Sequence, residues 1–87
     1  MQKTGDEMCK KILLKNIKKI HTTEMGVGRI QKNLGIDSEP VSYCISKLEK
    51  EDSSVKREGK NYYVEADDCI ITINSSSYTI ITAHKKK

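Results

Sequence analysis

Met8, Ile12, Leu13, Ile17 and Ile20 recur at helical spacing, and Lys10, Lys11, Lys15, Lys18 and Lys19 fill the positions between them. That alternation predicts an amphipathic helix over about Asp6–Ile20. Thr4 with Glu7 three positions on forms a capping box at its start. Val27, Ile30 and Leu34 repeat the spacing and predict a second helix over Glu24–Leu34, with Gly35 placed as a left-handed C-cap. Gly26 and Gly28 each weaken this helix by about 1 kcal/mol relative to Ala. They imply either a close approach of another backbone or a loose first turn. A third helix over about 38–51 is marked by Val41, Cys44, Ile45 and Leu48 at i, i+3, i+4 and i+7. Asp37 or Ser38 caps it, and Pro40 sits in its first turn, where a missing N–H costs nothing.

From Val55 the period changes from 3.6 to two. Strands are predicted at 54–57, 61–66, 69–75 and 78–85, joined by Glu58-Gly59-Lys60, Asp67-Asp68 and Ser76-Ser77. Joints this short require antiparallel neighbours. Ile70-Ile71 and Ile80-Ile81 put apolar groups on both faces of the last two strands, which are therefore expected to be central or covered. The expected fold is α+β: two to three N-terminal helices packed on a three- to four-stranded antiparallel meander. It forms one domain over 1–87, helical in 5–51 and sheet in 54–85.

Only 36% of the chain is apolar, with no Trp and no Phe, so the core is a thin one of Ile, Leu, Val, Met and Tyr. The net charge is +4, and residues 1–36 hold eight Lys/Arg against three Asp/Glu. A basic surface of this kind attracts phosphates, which makes RNA or DNA the candidate partner; a solubilising lysine coat is the plain alternative. Cys9, Cys44 and Cys69 are odd in number and form no C-x-x-C pair. Neither a disulfide framework nor a zinc site is expected, no metal or cofactor is implied, and reduced thiols point to the cytoplasm. No apolar run approaches the roughly 20 residues that span a bilayer, so a membrane is not an expected partner.

Strict catalytic motifs are absent. His21 and His84 are the side chains that titrate near neutrality unaided. Two histidines with Arg29, Arg57, Lys60 and Lys85 nearby would suit metal-free RNA cleavage. One would take the 2′-hydroxyl proton, the other would protonate the leaving oxygen, and the cations would hold the phosphate. On this reading His84 lies within one side-chain length of Arg29 or Lys60 on a concave face. Surface or capping histidines are the plainer reading. The stretch Lys56–Tyr63 interleaves cations with Tyr62 and Tyr63, which can stack on unpaired bases or simply cover a core edge. Asn74 and Thr82 are strand positions able to face the same site. Helices 24–34 and 38–51 with a basic hairpin also fit a winged helix-turn-helix, with Ser42, Tyr43, Ser46 and Lys47 facing DNA. Cys44 lies on an apolar stripe and reads as a small buried hydrophobe.

The chain resembles an uncharacterised family of small bacterial proteins, numbered 3781 among domains of unknown function. The likeness rests on His21-Thr22-Thr23-Glu24, Gly26, Arg29-Ile30, Asn33-Leu34-Gly35, Cys44 and Gly59-Lys60-Asn61-Tyr62-Tyr63-Val64. It closes with Ile71-Thr72-Ile73-Asn74 leading into Ser77-Tyr78-Thr79-Ile80-Ile81-Thr82-Ala83-His84-Lys85. Tyr43 and Tyr62 stand where Trp is expected in many relatives. The resemblance implies no activity. In element order alone, helices before an antiparallel sheet, the chain is also similar to small metal-free ribonuclease toxins of the barnase, colicin and RelE type. The expectation is a protein of unknown function directed at nucleic acid, with metal-independent endoribonuclease activity as its sharpest form. The alternatives are a winged-helix DNA-binding protein and a non-enzymatic protein-interaction module, and the oligomeric state stays open.

Overall fold

The structure, a computed structural model, describes residues 4–67 and 69–86, with side chains from residue 8 onward. The side chains of the Thr4–Glu7 capping box, and the whole of Asp68 of the second joint and of Lys87, lie outside what is described. The described elements are α1 (Thr4–Lys15), a 3-10 turn (Ile17–Lys19), α2 (Glu24–Leu34), α3 (Pro40–Leu48), β1 (Ser54–Glu58), β2 (Asn61–Ala66), β3 (Cys69–Asn74) and β4 (Ile80–Lys85). The strands form one antiparallel sheet in the order β1-β2-β3-β4, with the helices N-terminal to it. This is the expected α+β meander.

The first helix stops at Lys15, five residues earlier than its periodicity suggests. Asn16 N is shared between the Ile12 and Leu13 carbonyls, both at 3.1 Å, and the Asn16 side-chain amide also donates to the Ile12 carbonyl at 2.8 Å, so the α-helical ladder gives way to 3-10 bonding here. The chain then tightens into the 3-10 turn and leaves it extended at Ile20. The break also changes which stripe is buried. Leu13 and Ile20 are sealed in the core with Cys9 and Ile17 packed beside them, whereas Met8 and Ile12 point outward at 59% and 37% exposure.

α2 begins at Thr23, whose hydroxyl accepts from Gly26 N, and ends at Gly35 with φ of 67°. α3 is capped by Glu39 rather than by Asp37 or Ser38. Its carboxylate accepts from Val41 N and Ser42 N at 3.2 and 2.8 Å. Pro40 at the first helical position fixes the approach of the chain, so the residue immediately before it is the one within reach. The helix closes at Leu48, where the buried Ser53 hydroxyl donates to the Leu48 carbonyl.

Across the sheet Val55, Val64, Ile71 and Ala83 are register partners in one row, and Tyr62, Ile73 and Ile80 form the next. All seven are buried. Against this face α1 packs on β1, α2 on β4 and α3 on β2. β3 is central, as expected, but β4 is an edge strand, paired on its free side, among the described residues, at its start alone. There His21 N donates to Tyr78 O and Ile80 N donates to His21 O, a single parallel bridge. A register shift after Thr72 makes Ile81 the extra residue of a bulge, which turns it out to 42% exposure.

Candidate functional site

The two histidines occupy opposite ends of β4. His21 bridges to Thr79, whereas His84 is the register partner of Ile70. Five strand positions separate Thr79 from His84, roughly 16 Å at about 3.3 Å per residue. A single site that uses both rings is therefore not assembled within this chain. His21 is also occupied. Its Nδ1 lies 2.7 Å from the Lys19 carbonyl and its Nε2 lies 3.1 Å from Thr79 Oγ1. A carbonyl can only accept, so Nδ1 carries a hydrogen, and Nε2 is engaged by the Thr79 hydroxyl.

The turn end of the sheet gathers His21, Asn74 and Lys60. Asn74 Oδ1 accepts from Ser76 N and Ser77 N, and Ser75 N donates to the Lys60 carbonyl. Asn74 thus organises a turn. Lys60 lies at this end and His84 at the other, so their expected meeting does not occur. Arg29 is exposed on α2, in the helix layer. His84 belongs to the face away from that layer, because its neighbour Ala83 is buried beneath α2. The expected approach of Arg29 and His84 on one concave face is not formed, since the sheet lies between the two.

The face of the sheet away from the helices is where the remaining candidates collect. Successive strand residues alternate sides, so Tyr63, Thr82 and His84 lie here, with Thr82 and His84 sharing a face as period two predicts. Lys56, Tyr63, Thr72 and Thr82 are consecutive register partners across all four strands. Ser54, Glu65, Ile70 and His84 form the adjacent row. Of these, Ser54, Lys56, Tyr63, Glu65 and Ile70, together with Glu58 further along β1, line an open groove of about 240 Å³. Lys86 extends over its end, 3.0 Å from a Glu65 carboxylate oxygen.

Tyr62 parts from Tyr63. It is buried on the core side, with the Arg57 guanidinium 5.4 Å from its ring centroid. Arg57 Nε also donates to the Gly59 carbonyl, so it braces the hairpin. Lys85 is exposed beside Cys69 at the far end of β4. Sequence reasoning passed over Ser54, Glu58, Glu65, Ile70 and Thr72, and it used Lys56 only as part of a basic string. A usable signal existed. Gly59, with φ of 61°, and Lys60 form a two-residue turn. Such a turn fixes Glu58 against Asn61 and hence Lys56 against Tyr63.

The outward side of α3 carries Ser42, Ser46 and Glu49, preceded by the capping Glu39. Hydrogen bonds from the Ser42 and Val41 backbone hold the Glu39 carboxyl below its usual range. Lys47, which a groove-reading helix would present to DNA, is bonded to Asp67 at 2.6 Å. That hydrogen bond raises the Lys47 pKa and lowers that of Asp67. An acidic rim with its cation occupied repels a phosphate backbone. Cys44 is buried, and loss of solvent, followed by the neighbouring Cys69, pushes its thiol up to about 12. A nucleophile needs the opposite shift.

Among the described residues no helix is long and apolar enough to cross a membrane, and no group of three or more His, Cys, Asp or Glu is placed to hold a metal ion. No curated protein and no solved structure matches the chain. The family model described as Protein of unknown function (DUF3781) matches residues 14–84. That span takes in α2, α3 and the sheet through His84, so the fold and the uncovered sheet face are those of a member of this family, to which the chain belongs.

Proposed function

We propose that this chain is a nucleic-acid-directed protein that contacts unpaired bases through the uncovered face of its sheet. The observation that carries the proposal is the cross-strand pair of Lys56 and Tyr63 within the open groove. A half-buried aromatic ring beside a cation suits a stacked base with its phosphate alongside. Beyond the buried Thr72, Thr82 continues that row with a half-buried hydroxyl, and Arg57, Lys60 and Lys85 lie at the rim of the sheet. Lys11, Lys15, Lys18, Arg29 and Lys32 of the helical half are all exposed and supply long-range attraction. Three free cysteines, two of them buried, fit the reducing cytoplasm in which the proposal sets the protein.

In the cleavage version His84 is the proton-transfer group on this face, and Tyr63 and Lys56 position the strand. His21 has no part in it, because both of its ring nitrogens are engaged. Labelled single-stranded RNA in EDTA tests both levels. Salt-sensitive binding lost in Tyr63→Ala supports the proposal, and binding indifferent to salt and to Tyr63 overturns it. Product formation lost in His84→Ala but kept in His21→Ala supports cleavage. Intact RNA with wild-type protein removes the enzymatic version and leaves binding.

Met8 and Ile12, one helical turn apart on the outside of α1, favour a protein partner as the second reading. Replacing both with Gln, which adds no charge, would then abolish partner capture without changing RNA affinity.

A further inference from the structure

The groove beside Tyr63 has the wrong charge for a phosphate pocket. Among the described residues that line it Lys56 is the one cation, against the carboxylates of Glu58 and Glu65. A phosphate placed between two carboxylates is repelled, so the phosphates belong at the rim and something that donates hydrogen bonds belongs inside. The apolar part of the lining is the Tyr63 ring and Ile70, which offer a flat aromatic platform. Together these describe the environment of a base rather than of a backbone.

The bases differ in what they present to a carboxylate, which only accepts. Guanine offers adjacent N1–H and N2–H donors that match the two oxygens of one carboxylate. Cytosine offers a single exocyclic donor. Adenine places its ring acceptor N1 beside its amino group. Uracil flanks its one N–H with two carbonyls that a carboxylate repels. The two glutamates are not equivalent. Glu65 is engaged by Lys86 at 3.0 Å. Glu58 is exposed and, among the described residues, forms no ion pair, so both its oxygens are free. It stands on the same strand face as Lys56, two residues along β1, and the cross-strand partner of Lys56 is Tyr63.

Resting on the nucleic-acid reading above, we infer that this groove is a guanine subsite. The base stacks on Tyr63, Glu58 accepts its N1–H and N2–H, and Lys56 donates to the guanine O6. Specificity then comes from Glu58 and affinity from the Tyr63 platform and the cations around the groove.

Anisotropy with fluorescent uridine octamers that carry one central guanosine, inosine, adenosine or cytidine tests the assignment. Wild-type protein should prefer the guanosine oligomer about tenfold or more over adenosine and cytidine. Inosine, which lacks the N2 amino group, should lose much of that preference. Glu58→Gln should level the four oligomers while keeping their common affinity, and Glu65→Gln should leave the preference in place. Equal binding of all four by the wild type, still weakened by Tyr63→Ala, overturns the subsite and leaves the function standing. A preference that survives Glu58→Gln, or that Glu65→Gln removes, overturns the role given to Glu58. No binding of any oligomer overturns subsite and function together.

Discussion

His21 Nε2 lies 3.1 Å from Thr79 Oγ1, joining residues 58 apart in the chain and fastening the segment before α2 to the start of β4. With Nδ1 bonded to the Lys19 carbonyl, the ring acts as a strut between two loops. Thr79→Val, which removes the hydroxyl and keeps the shape, should lower stability by about 1 kcal/mol. Urea unfolding reads this as a lower midpoint at constant slope, and RNA affinity should stay unchanged. A loss of affinity without a loss of stability would return His21 to the binding site.

Tyr62 and Tyr63 are neighbours in sequence with opposite tasks. Tyr62→Ala empties a buried core position and should cost about 3–5 kcal/mol, the range for large aromatic truncations. Tyr63→Ala should leave thermal unfolding almost unaltered. It should weaken single-stranded RNA binding by about 1–3 kcal/mol, the worth of one stacked base. Calorimetry and anisotropy on the same two variants separate the roles.

Gly26 and Gly28 are predicted to respond with opposite signs. A Cβ at Gly26 would overlap Thr22 Oγ1, whose hydroxyl donates to the Ile80 carbonyl at 2.9 Å. Gly26→Ala therefore forces that tie apart and should destabilise by about 1–3 kcal/mol. A Cβ at Gly28 meets nothing within 4 Å, so Gly28→Ala should stabilise by about 1 kcal/mol through helix propensity alone. Melting temperatures of the two variants decide it.

Glu39 and Asp67 both hold their protons more weakly in the folded chain than their ordinary values of 4.5 and 3.8. The unfolded state then binds more protons in acid. Their stabilising contribution is complete above about pH 5 and is lost as pH falls through those ordinary values toward the lowered folded ones. Urea midpoints should drop over this window, and Glu39→Gln should flatten part of the drop. An identical acid limb in that variant would show the cap to be energetically idle.

The three thiols should be distinguishable by alkylation. Cys44 and Cys69 are buried, and the Cys44 thiol is pushed up to about 12, so neither should react before unfolding. Cys9 is half-buried on α1 and should be labelled first. Peptide mapping after brief maleimide treatment at pH 7.5 gives the order. Early modification of Cys44 would show that α3 opens readily from the sheet.

Local pattern was enough for the order and type of the elements. The change of period at Val55, the glycine after Leu34 and the two-residue turn at Gly59-Lys60 each act over a few residues, so they can be read without the fold. The family resemblance, too, rested on strings such as Ser77–Lys85, which need no structure to recognise.

Which residues share a site could not be read this way. Met8 and Ile12 fit the helical stripe as well as Cys9 and Leu13 do, and only contact with β1 selects the second pair. α1 gives way at Asn16, where one backbone N–H is shared between the Ile12 and Leu13 carbonyls, a local change of ladder that propensity does not resolve. The separation of His21 from His84, the split of Tyr62 from Tyr63 and the outward turn of Ile81 all follow from strand register and one bulge. Register is set by pairings between distant segments, and a slip of one residue exchanges the two faces of a strand. The sequence by itself therefore determined that Lys56, Tyr63 and His84 exist on strands. The tertiary structure alone decided that they share one uncovered face, with Glu58 and Glu65 on either side of the Lys56–Tyr63 row.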